Sequence, residues 1–155
     1  MSIPPFQRVL DRHGDDVHRF LVATVGSWDA DDCYQETCIA ALRAYPRLEN
    51  ASNLRAWLLR IAERKAIDAH RARGRRPVPV DHVPDAGTVD PPQDGESRLW
   101  AAVRELPMKQ RTAVFCRSVL GMPYEELAGV LDSSQDAARR NVHEGLKTLR
   151  QGWDR

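Results

Sequence analysis

Residues 77–96, PVPVDHVPDAGTVDPPQDGE, constrain the fold more than any other stretch of the chain. Five of the ten prolines fall here, together with five carboxylates and no Lys or Arg. Proline removes a backbone donor and breaks helix interiors, and too few large apolar side chains remain to bury a core. The segment is predicted to be an extended, self-repelling linker between two small units, 1–76 and 97–155. A chain of 155 residues with 42% hydrophobic content has material for two such helical cores.

Both flanks read as helices, and no strand-like alternation occurs, so the fold class is all-α. Phe6, Val9, Leu10, Val17, Phe20, Leu21 and Val25 keep near-helical spacing, with Gly14 predicted to mark a bend or break. Ser27 or Asp29 can cap a second helix that runs to about Ala44, with Cys38, Ala41 and Leu42 inward and an acidic outer face. A third helix is expected from about Asn53 to Arg73, ending at Gly74. Leu54, Trp57, Leu58, Ile61 and Ala62 form its buried side, so Trp57 reads as core rather than as a base-stacking residue. Beyond the linker, Leu99, Val103 and Leu106 give one helix and Met108 to Leu120 another, stopped by Gly121.

The last stretch, PYEELAGVLDSSQDAARRNVHEGLKTLR, reads as two helices joined by Asp132-Ser133-Ser134. Proline is tolerated in the opening turn at Pro123, and Ser133 or Ser134 supplies an N-cap oxygen for the second helix. In that helix Ala138, Val142, Gly145, Leu146 and Leu149 share the inward face. Asp136, Arg140, His143 and Lys147 lie opposite, with Arg139 on the flank. That is the geometry of a helix-turn-helix whose second helix enters the major groove.

Charge sharpens the reading. The net charge is only +1, yet residues 1–50 carry 5 basic and 8 acidic groups, 51–76 carry 8 and 2, 77–96 carry 0 and 5, and 97–155 carry 10 and 7. Such alternation suits partners of both signs, with the basic blocks open to phosphates. Cys33, Cys38 and Cys116 lack disulfide or zinc spacing, which indicates a reducing compartment. Neither a signal peptide nor a membrane-spanning run is visible, so a cytoplasmic location is expected. The five histidines are scattered, without a paired or Glu-x-x-His pattern, and no glycine-rich phosphate loop exists. No catalytic residue, metal site or cofactor is therefore expected.

Five motifs in order carry a resemblance: Asp29-Ala30-Asp31-Asp32-Cys33-Tyr34-Gln35-Glu36-Thr37; Leu54-Arg55-Ala56-Trp57-Leu58-Leu59-Arg60-Ile61-Ala62; Ile67-Asp68 with Arg71; Leu106-Pro107-Met108-Lys109-Gln110-Arg111; and Tyr124-Glu125-Glu126-Leu127-Ala128. Together they resemble bacterial extracytoplasmic-function (ECF) sigma factors, over about residues 6–76 and 97–150. The resemblance implies a promoter-specificity subunit of RNA polymerase. Core polymerase would be met through its β′ clamp helices, here by Asp32, Gln35 and Glu36, and through its β flap. The unpaired strand at the −10 element would fall to Asn50 and Asn53 for a flipped base, and to Arg60, Arg64, Lys65, Arg71, Arg75 and Arg76 for phosphates. The −35 element would meet Ser134, Gln135, Asp136, Arg139, Arg140, His143 and Lys147, among which Arg suits guanine and Gln suits adenine. The linker would thread toward the polymerase active site and RNA exit path, and an anti-sigma factor is a further partner the resemblance admits.

The chain departs from the family pattern in three places. Asp132-Ser133-Ser134 replaces the usual Gly-Ile/Val-Ser, Ala137-Ala138 replaces Thr-Val, and Cys38 replaces a Phe. The competing reading is a freestanding helix-turn-helix regulator, which leaves the acidic Asp29–Glu36 helix without a task.

Overall fold

The structure is a computed structural model that describes residues 3–49, 52–75 and 94–153. The described residues form seven α-helices and one short 3-10 turn, with no strand. Three helices make the first unit: α1 (Phe6–Val25), α2 (Ser27–Ala44) and α3 (Leu54–Arg75). Four make the second: α4 (Asp94–Arg104), α5 (Met108–Ser118), α6 (Tyr124–Leu131) and α7 (Gln135–Trp153). Residues 76–93, which include most of the expected linker 77–96, lie outside the described residues, and α4 begins at Asp94, inside the stretch read as linker.

Helical spacing explains the first unit. Val9, Val17, Phe20, Leu21 and Thr24 line the buried side of α1, and Ala30, Cys33, Thr37 and Ala41 that of α2. The small side chains of α2, with Ala62 and Ala66 of α3, let the three helices approach closely. Gly14 does not break α1. It is buried mid-helix, where a Cβ would stand 2.7 Å from the Tyr34 hydroxyl, so close approach rather than a bend requires glycine. Gly26, at φ 88°, is the N-cap residue of α2, and neither Ser27 nor Asp29 caps it by a side chain. The rings of Phe6, Tyr45 and Trp57 follow one another at 5.3 and 6.0 Å between centroids, which places Trp57 against the core as expected. The third helix runs past Gly74 to Arg75.

In the second unit α5 is central, with Arg111 through Cys116 buried. Helix α7 crosses α5 at Gly145, where a Cβ would stand 2.6 Å from a Val114 methyl and 3.5 Å from the Gln110 carbonyl oxygen. A β-branched neighbour has little room to yield. Gly145→Val is therefore expected to destabilise the protein by about 3 kcal/mol, from overpacking. Denaturant unfolding checks this, and a midpoint equal to the parent's would contradict the crossing.

The two units do not stand apart. One buried apolar cluster runs from Val9 in α1 to Val142 in α7. Phe115 of α5 meets Phe20 of α1 at 5.8 Å and Trp100 of α4 at 6.0 Å between ring centroids. Arg111, 6% exposed, donates from Nη1 to the carbonyl of Thr24 in the last turn of α1 and from Nε and Nη2 to that of Leu106. It thereby satisfies a carbonyl that the end of α1 leaves open. Lys109 Nζ lies 2.7 Å from Glu63 Oε1 and donates to the Leu131 carbonyl at 3.0 Å. Helix α6 packs along α3, where Arg55 forks onto Glu126 at 3.1 and 3.3 Å and Arg60 reaches Asp132 at 3.2 Å. His13 is pushed below its ordinary pKa, by burial first and then by Arg12 and Arg55, so it stays neutral beside this pair at pH 7.

Candidate functional site

Helix α7 carries an exposed cationic face. Gln135, Asp136, Arg139, Arg140, His143 and Lys147 are all exposed, opposite buried Ala138 and Val142. Ser134 caps the helix, its Oγ accepting from the Ala137 N–H at 3.1 Å, which decides between the two serines. Arg139 is held from two sides, 3.5 Å from Asp136 and with its guanidinium carbon 5.1 Å from the Tyr124 ring centroid. Arg117 lies over the same ring at 4.3 Å, so Tyr124 fixes one edge of the face. Arg140, His143 and Lys147 make no hydrogen bond or ion pair among the described residues. Asp132 closes α6 in the left-handed region, φ 53° and ψ 50°. This conformation favours glycine or asparagine, and here an aspartate adopts it.

Helix α3 divides its cations among solvent, the second unit and α2. Arg64 and Arg71 are exposed and Lys65 is half-buried. Arg60 is half-buried on Asp132, and Arg73 pairs with Asp29 at 2.8 Å. Asn53 Oδ1 accepts from the Ala56 N–H at 3.1 Å, so its carbonyl oxygen caps α3 and its amide NH2 remains for a ligand. Asn50, Arg76 and the side chain of Arg75 lie outside the described residues.

The acidic cluster of α2 separates into two sets. Asp29 pairs with Arg73, and Asp31 lies 2.9 Å from His18 Nε2. Asp32, Gln35 and Glu36 are exposed and make no hydrogen bond or ion pair among the described residues. At about 100° per residue they share one face with Ile39 and Leu42. Those two are 48% and 56% exposed, so Leu42 is not inward as its spacing suggested. The face is acidic at its N-terminal end and apolar toward its C-terminal end, a composition suited to a protein partner with a basic rim.

Comparison with known proteins decides the family. Residues 9–76 match the Sigma-70 region 2 model and residues 96–149 the Sigma-70 region 4 model. An ECF RNA polymerase sigma factor, SigD of Mycobacterium tuberculosis, is 35% identical over 148 residues, covering 86% of this chain and 70% of its own length. This chain belongs to the ECF sigma factors. SigX of Bacillus subtilis is 28% identical, covering 94% of this chain and 81% of its own. Two solved structures share the fold: the sigma factor RpoE of Bartonella quintana with the anti-sigma factor NepR, and CnrH with the cytosolic domain of CnrY. The first has a TM-score of 0.75 at 23% identity, covering 94% of each chain. The second has a TM-score of 0.71 at 22%, covering 96% and 87%.

Within this sigma factor, the α7 candidates converge on one face and those of α2 on another, whereas the α3 candidates do not all share one exposed surface. Arg60 points into the seam, and Arg55, absent from the expected set, joins it there. Ile39 and Leu42 were also missed. The available signal was their spacing, Ile39 three residues beyond Glu36 and Leu42 seven beyond Gln35, but an apolar residue at helical spacing reads first as core. Among the described residues no group of three His, Cys, Asp or Glu side chains is arranged to hold a metal, and no helix is long and apolar enough to cross a membrane.

Proposed function

We propose that this sigma factor works through three separate faces: α2 on core polymerase, α3 on the unpaired −10 strand, and α7 in the major groove at −35. Residues 1–76 then form the module for polymerase and −10, residues 97–155 that for −35, and 77–96 the linker. Sigma factors are transcription initiation factors rather than enzymes, and their partners are RNA polymerase and promoter DNA. The observation that carries the reading is the exposed α2 face, Asp32, Gln35 and Glu36 backed by Ile39 and Leu42. A freestanding DNA-binding regulator has no use for it. On α7, Arg139 and Arg140 are the cations best placed for guanine or phosphate, with Gln135 near the helix start. Ser134 contributes to the groove through the helix it caps. One structural neighbour, RpoE, was solved with the anti-sigma factor NepR, and we extend that partner class to this chain.

Two substitutions test the division of labour. Glu36→Lys places a cation against a basic partner surface, and its expected result is core binding weakened at least about tenfold, since like charges across an interface cost several kcal/mol. Its DNA binding should be unaltered. Arg140→Ala is expected to lower transcription from a cognate promoter about tenfold through one lost contact of about 1–3 kcal/mol. Co-elution with core polymerase should remain as in the parent. Equal loss of both activities in either variant would refute separate faces.

A further inference from the structure

Three buried side-chain atoms lack a hydrogen-bond partner among the described residues: Arg60 Nε, Glu63 Oε2 and Thr112 Oγ1. Arg60 and Glu63 both lie on α3, and their charged partners, Asp132 and Lys109, belong to the second unit. Polar atoms left bare at a seam cost free energy that rehydration recovers. The units are thus joined partly by contacts whose loss on separation is offset by water. An apolar seam of the same area would lack that offset.

The charges in the seam are ordered. All the cations that α3 offers to α6 and its C-cap meet carboxylates there: the Arg55 guanidinium forks onto both oxygens of Glu126, and Arg60 reaches Asp132. Arginine binds a carboxylate and a phosphate through the same planar fork. Asp132 holds this place in a left-handed backbone conformation, φ 53°, where glycine or asparagine would sit with less strain. Its carboxylate is what neither alternative supplies. In the same conformation Arg139, Arg140, His143 and Lys147 of α7 stand exposed to solvent. One nucleic-acid face is open while the other is partly covered.

We infer that the cationic edge of α3 formed by Arg55 and Arg60 is one binding site with two mutually exclusive occupants: the Glu126 and Asp132 carboxylates of the helix-turn-helix, and the phosphate backbone of single-stranded DNA. The inference rests on the reading of α3 as the −10 strand surface and adds Arg55 to it. It also orders events. Elements centred about 25 base pairs apart lie roughly 85 Å apart along duplex at ~3.4 Å per base pair, too far for α3 and α7 in one packed body. Binding both requires the units to part, and parting releases Arg55 and Arg60 for the strand.

The test compares full-length chains for binding of a short fluorescein-labelled single-stranded DNA of mixed sequence, with small-angle X-ray scattering in the same buffer. Glu126→Gln/Asp132→Asn removes both carboxylates while keeping shape, and Asn accepts the left-handed backbone. Asp11→Asn/Asp15→Asn, at two exposed positions of α1, matches its change in net charge. The seam variant is expected to expand and to bind the oligonucleotide roughly tenfold more tightly than the parent, the equivalent of ~1.4 kcal/mol. The matched variant should stay compact and gain at most about twofold. A seam variant that stays compact, or that expands but binds no more tightly than the matched variant, overturns the shared site. Adding Arg55→Ala to the seam variant should remove most of the gain without restoring compactness, and an unchanged affinity would overturn the part assigned to Arg55. Transcription by core polymerase with the parent chain is scored separately. Its failure would remove the promoter-reading role, while scattering and oligonucleotide binding would still decide the shared site.

Discussion

Phe115→Ala is expected to destabilise the protein by about 4 kcal/mol, the usual range for truncating a buried aromatic being 3–5. Phe115 is 2% exposed and stands between Phe20 of α1 and Trp100 of α4, so one deletion opens a void that both units line. Collapse around it is restricted. Phe20 is itself fully buried in α1, and α5 is held from both sides by Arg111, which bonds to the Thr24 and Leu106 carbonyls. The measurement is equilibrium denaturant unfolding of parent, Phe115→Ala, Phe20→Ala and the double variant. Coupling of about 1 kcal/mol between the two rings is expected for an edge-to-face pair beyond its buried area. A Phe115→Ala loss below about 1 kcal/mol would place that ring outside the core.

Lys109→Met has the second-largest expected effect, and its physics differs. Glu63 is 2% exposed, with Oε1 2.7 Å from the Lys109 ammonium and Oε2 without a hydrogen bond among the described residues. Removing the cation leaves a buried carboxylate with no compensating charge, which costs about 3–5 kcal/mol in a site that cannot open. Here the carboxylate can reach water if α5 and α6 lift from α3. The expected outcome is therefore separation of the units, seen as a larger radius of gyration with helix content retained. Glu63→Gln added to Lys109→Met removes the uncompensated charge and should restore compactness. A Lys109→Met chain as compact and as stable as the parent would show that the pair contributes nothing to closure.

The helices were legible in the sequence because each buries one stripe, and the stripe repeats within a single element. The α7 face was legible for the same reason: Asp136, Arg140, His143 and Lys147 are neighbours on one helix whatever surrounds it. Gly14 misled because glycine within a helical pattern reads as a breaker, whereas here it makes room for Tyr34 from another helix. Leu42 misled because its spacing fits the core stripe, while Ala41 beside it occupies the core. Nothing in the sequence pairs Arg55 with Glu126, which are 71 residues apart. Each looks like an ordinary solvated charge on its own helix. The linker reading likewise divided the chain into two helical sets but carried no information on whether they touch. Asn53 and Ser134 show a further limit, because the same oxygen that could meet a base also caps a helix.

Run-off transcription with purified core polymerase on genomic fragments, followed by mapping of RNA 5′ ends, tests the central claim most directly. With the parent chain, discrete start sites should appear that core polymerase alone does not use, and Glu36→Lys should weaken initiation at them when core polymerase is limiting. Absence of any defined start, from a chain shown to be folded, would contradict the account.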